Sequence, residues 1–108
     1  FLEEITGNNP KRIRKYLGLY LESAAESLPR FEAALAIADR EELRRVAHTI
    51  KPQLRMLGLE RMAVCAQEIE TQAVEGTALE TLPGKVDELV AEIRVSVALF
   101  EAYLEKMI

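Results

Sequence analysis

Apolar residues recur every three or four positions through most of this chain, and no stretch alternates convincingly enough to read as a strand. Helices that each bury one face must therefore pack on one another. Asn9-Pro10 is a start signal, with asparagine as cap and proline in the first turn. The helix it opens carries Ile13, Leu17, Tyr20, Ala24, Leu28, Phe31 and Leu35 along one stripe. Pro29 interrupts that stripe without resetting its phase, which predicts one kinked helix rather than two. Asp39 to Glu42 has capping-box spacing and starts a second helix, which Gly58 ends or opens to close approach. A third helix, from about Glu60 to Glu75, presents Met62, Ala66, Ile69 and Ala73. After a loop beginning at Gly76 and Thr77, Thr81 and Pro83 open the last helix, striped by Val86, Leu89, Val90, Ile93, Val97, Phe100 and Leu104. Phe1 to Thr6 reads as a short apolar helical leader. The expected fold is all-α, an antiparallel up-down four-helix bundle with a short N-terminal capping helix.

A chain of 108 residues supports one domain with a modest core. A net charge of -4 argues against general nucleic-acid binding, which needs a broad cationic surface. The single Cys65 cannot pair within the chain and points to a reducing, cytoplasmic setting. It reads as a small buried hydrophobe, as Tyr16, Tyr20 and Tyr103 read as core or boundary residues. No apolar run approaches the ~20 residues that span a bilayer, so this part of the protein is not expected to contact a membrane itself. The first residue is Phe, which suggests a piece of something longer, such as the cytoplasmic part of a membrane-bound sensor.

The only histidine, His48, lies on the second helix. At about 100° per residue, Leu43, Val46, Ile50, Leu54 and Leu57 fall on the opposite side as a core stripe. Glu41, Arg44, Lys51, Pro52 and Arg55 fall within about 60° of His48, with Arg45 at the margin. The imidazole should therefore face solvent. Between Leu43 and Leu59 stand Arg44, Arg45, Lys51 and Arg55 and no acid, so a cationic patch is expected around it. Near neutral pH an exposed imidazole is an adequate nucleophile toward an acyl phosphate without an adjacent base. Cations nearby attract an anionic partner and balance charge on phosphoryl oxygens. One His and one Cys do not make a metal-ligand set. Pro52, four residues after His48, removes a helical donor and is expected to bend the helix at that turn.

Ala47-His48-Thr49-Ile50-Lys51, with Gly58 ten positions after the histidine, resembles the signature of histidine-containing phosphotransfer (HPt) domains. Phe31, Ala34, Leu35, Asp39 and Leu43 upstream, and Ile69 and Glu70 downstream, extend the similarity over about two thirds of the chain. The resemblance implies a monomeric four-helix bundle whose exposed histidine exchanges phosphoryl groups with the aspartate of response-regulator receiver domains. By position, His48 would be the acceptor and Lys51 would lie beside the phosphoryl group. Gly58 would permit close packing near the site, and Arg44, Arg45, Pro52 and Arg55 would meet the partner. The family usually has glycine after the lysine, where this chain has Pro52. No cofactor is expected, and any Mg²⁺ would belong to the receiver. The module could stand alone or belong to a hybrid sensor histidine kinase.

Two other readings remain at this point. The phosphoacceptor and dimerisation helices of a histidine kinase also carry a helical histidine followed by a basic residue and proline. They usually have an acid just after the histidine, where Thr49 stands here, and proline one place later. A helical module that binds receivers without phosphotransfer is the third.

Overall fold

The computed structural model describes residues 9–76 and 80–107, so the leader lies outside the described residues. Four helices follow in order: α1 Pro10–Ala36, α2 Arg40–Met56, α3 Glu60–Glu75 and α4 Leu82–Lys106. Each packs on its chain neighbour, and α1 also packs on α4, closing an up-down bundle without diagonal contacts. The core sits along the bundle axis. It is built from Leu17, Tyr20, Ala24 and Phe31 of α1, Val46, Ile50 and Leu54 of α2, Ala66 and Ile69 of α3, and Val86, Leu89 and Ile93 of α4. These are the stripes the periodicity predicts, which confirms a helical bundle. No described helix is long and apolar enough to cross a membrane.

Local chemistry explains the boundaries. The Asn9 side chain accepts from the amides of Lys11 (2.9 Å) and Arg12 (3.3 Å), starting α1. The helix then runs through Pro29 as one element. It ends in a Schellman turn, with Ala38 N–H donating to Leu35 (3.2 Å) and Asp39 N–H to Ala34 (2.9 Å). Ala38 stands in the left-handed position at φ 53°, where glycine is usual. Asp39 then caps α2 by accepting from Glu42 N–H at 3.1 Å. The reciprocal half of the expected capping box does not form. Ala34 already takes the Asp39 amide, and Glu42 instead holds Arg30 through hydrogen bonds of 3.0 and 3.1 Å.

Left-handed strain on an alanine is of order 1–2 kcal/mol, while glycine's looser unfolded chain offsets about 0.4–1 of it. Ala38→Gly should therefore stabilise the fold by about 0.5–1 kcal/mol, read as a higher urea midpoint. A lower midpoint would show that the turn carries no such strain.

Among the described residues, no buried side-chain polar atom away from α2 lacks a hydrogen-bond partner. Ser96 Oγ donates to the Ile93 carbonyl (2.7 Å) and so accepts from Tyr20 Oη (2.7 Å), whose ring meets Phe100 edge-on at 5.7 Å. Tyr16 is half-buried and Tyr103 is exposed. Cys65 is buried, and burial pushes its thiol up to about 11, so it is an inert packing residue.

Candidate functional site

Helix α2 turns its apolar stripe inward and leaves the His48 side chain 66% exposed, as the periodicity requires. The ring is nevertheless not free to spin. Its Nδ1 lies 2.7 Å from Oε1 of Glu70, which comes from the facing side of α3. Glu70 is the one buried charged residue among the described residues, 8% exposed. Burial acts to raise its carboxyl pKa, but hydrogen bonds from Lys51 and His48 outweigh burial and hold it below the usual carboxylate range. Glu70 is thus ionised at neutral pH, and its contribution to stability is lost only as pH falls through that lowered value.

An ionised carboxylate can only accept, so Nδ1 must carry the proton and donate it to Glu70. In the neutral ring the other nitrogen, Nε2, then keeps the lone pair, in a side chain that is mostly exposed. Position on the helix gives exposure, and the carboxylate on the neighbouring helix fixes the tautomer.

Lys51 departs from its expected outward course. Its side chain is only 12% exposed and lies across α3, where Nζ donates to Glu70 Oε2 (2.5 Å) and to Gln67 Oε1 (2.8 Å). Gln67 is itself oriented by donating from Nε2 to Thr71 Oγ1 at 3.1 Å. His48 and Lys51, one turn apart on α2, are therefore bridged by the two oxygens of one carboxylate.

The expected cationic patch is also altered. Arg44 Nη2 pairs with Glu41 at 2.6 Å, and Arg45 lies 3.7 Å from Glu41 and 3.8 Å from Glu42. The charges closest to the imidazole are thus a carboxylate and a carboxylate-bound ammonium. Arg55 and Pro52 are exposed on the His48 side of α2, and Arg55 has no ion pair among the described residues. Gly58, at φ 72°, closes α2 in a second Schellman turn, with Gly58 N–H donating to Arg55 (3.0 Å) and Leu59 N–H to Leu54 (2.8 Å). It lies at the helix end, roughly 15 Å along the axis from His48. Its evident role is to turn the chain so that α3 returns with Glu70 at the histidine's level.

Sequence reasoning reached Glu70 as part of a family-like pattern and gave it no role. Its only signal was position: turned about 100° from Ile69, it stands at the margin of the core stripe of α3.

Neither a curated protein nor a solved structure shows a significant match to the chain. The model of the Hpt domain family matches residues 15–99, a span that begins within α1, takes in all of α2 and α3 and reaches into α4. With an exposed helical histidine at the middle of that span, the chain belongs to the Hpt domain family, the phosphotransfer modules of two-component phosphorelays.

Proposed function

We propose that His48 accepts a phosphoryl group on Nε2 from the aspartyl phosphate of a receiver domain and returns it to such an aspartate. The hydrogen bond from Nδ1 to Glu70 carries this reading, because in the neutral ring it assigns the proton to Nδ1 and leaves the lone pair on Nε2, in a side chain that is 66% exposed. In the forward step the Nε2 lone pair attacks phosphorus, an N–P bond forms, and the acyl O–P bond breaks with the carboxylate leaving. Nδ1 keeps its proton, so the phosphorylated ring becomes cationic, and the Glu70 carboxylate beside it offsets that charge. No proton need move during the transfer, which is why no general base is required. Lys51 is one turn away and its ammonium is held by the other oxygen of the same carboxylate, so its positive charge lies close enough to help balance charge on the phosphoryl oxygens. Run backwards, the same steps donate the group.

Exposure of the chain to a panel of phosphorylated receivers tests this. The expected product is a chain carrying one phosphate that is labile in acid and stable in alkali, the behaviour of a phosphoramidate bond. A phosphate stable in acid, or none from any receiver, overturns the proposal.

A further inference from the structure

Helix α4 has two apolar faces, and the bundle uses one. Val86, Leu89 and Ile93 point into the core. At about 100° per residue, Ala91, Val95, Leu99 and Ala102 form a second stripe on roughly the opposite side of the helix. All four are exposed, Val95 and Leu99 by 61% and 64%. Single apolar residues on a surface are ordinary, but a continuous stripe over about three turns is not.

The stripe ends in opposite charges. Glu88 precedes it and Lys106 follows it, each within ~20° of Val95 around the helix. Both are exposed, and neither has an ion pair among the described residues. Between them no charged residue falls within ~50° of Val95. Glu92 stands at the edge, held by Arg61 at 2.8 Å. Asp87, Arg94, Glu101 and Glu105 lie ~80–120° away and point along the flank. Glu88 lies seven residues before Val95, and Lys106 seven after Leu99. Antiparallel pairing that sets Val95 opposite Leu99 of a second copy therefore sets Glu88 opposite Lys106 at both ends. A twofold axis brings the same edge of each helix together. Tyr103, on the edge that faces α3, then comes level with Ala91 of the other copy. There a cleft of about 440 Å³ opens between α3 and α4, lined by Leu59, Met62, Ala91 and Leu99.

We propose that this face of α4 pairs with the same face of a second copy of the chain, helices antiparallel, with Val95 opposite Leu99 and Glu88 opposite Lys106. The pair departs from the monomer that the family resemblance implies. Charge complementarity identifies the occupant, because the stripe read backwards meets itself with opposite signs at both ends. One helix face buries less than the about 800 Å² per partner of a standard interface, so the dimer is weak and dissociates at about 10–100 µM. Among the described residues α4 does not touch α2, which lies diagonally across the bundle, so both His48 rings stay open in the pair.

Sedimentation equilibrium of the chain from about 5 to 500 µM tests this. Wild type should pass from monomer to dimer over that range, and Leu99→Glu should stay monomeric with an unchanged melting temperature. Glu88→Lys and Lys106→Glu should each dimerise about fivefold more weakly at low salt. An equimolar mixture of those two variants should regain the affinity of wild type, because both crossed pairs then join unlike charges. Val74→Glu, on the part of α3 beside Arg44 and Glu70, should dimerise as wild type does. A wild type that is monomeric throughout, dimerisation that survives Leu99→Glu, or a mixture that associates no better than either single variant overturns the proposal. So does equal weakening by Val74→Glu. Sedimentation involves no phosphate, so its outcome is independent of whether His48 is the acceptor.

Discussion

His48→Gln will take up no measurable phosphate from phosphorylated receivers or from phosphoramidate, a loss of at least about a thousandfold, while its helical signal and melting temperature stay near those of wild type. Glutamine is close in length and can still donate to Glu70 from its amide, but an amide nitrogen has no available lone pair to attack phosphorus. The side chain it replaces is mostly exposed and contributes nothing to the core. Surface changes of that kind usually move stability within about 0.5 kcal/mol. The two readouts together decide between a carrier and a module that only binds. If the variant still became phosphorylated, the acceptor would lie elsewhere. If it unfolded, the loss of uptake would say nothing about chemistry, and the outward placement of the ring would itself be wrong.

How far the sequence could be read follows from what each feature depends on. The helices and their buried stripes are local matters of period and caps, so Leu43, Val46, Ile50, Leu54 and Leu57 declared the inner side of α2 and thereby the outward side of His48. The left-handed turn at Ala38 was invisible, because alanine carries no signal for a positive φ and the hydrogen bonds of the turn impose it. The site was half legible. The charge count from Leu43 onward suggested a cationic patch, but it leaves out the first turn of α2 and whatever neighbouring helices supply. Glu41 and Glu42, one turn back, pair with Arg44 and Arg45, and Glu70 arrives from α3, 22 positions away in sequence. Lys51 was misjudged for the same reason. Its position on the helix is outward, yet a long flexible side chain follows the nearest buried carboxylate rather than the direction of its Cβ.

Glu70→Gln separates orientation from nucleophilicity and is expected to slow phosphoryl uptake by about 10–100-fold without abolishing it. The substitution keeps the shape of the side chain, so α3 should still pack, but it removes two things at once. A neutral amide no longer requires the proton to sit on Nδ1, since its NH₂ can donate to a bare Nδ1 and leave Nε2 protonated and unreactive. It also no longer offsets the positive charge that builds on the ring as the N–P bond forms. Lys51, only 12% exposed, would lose its carboxylate and keep Gln67 as a partner, which predicts a stability loss of about 1–2 kcal/mol. Receiver affinity should not change, because Glu70 is nearly buried. The expected pattern is therefore a lower maximal transfer rate at unaltered half-saturation. Lys51→Ala provides the comparison: it leaves the Nδ1–Glu70 contact in place and so should slow transfer less than Glu70→Gln does. A Glu70→Gln chain that transfers at the wild-type rate would mean the imidazole needs no carboxylate to choose its tautomer, and the bridge between α2 and α3 would then be a fold contact alone.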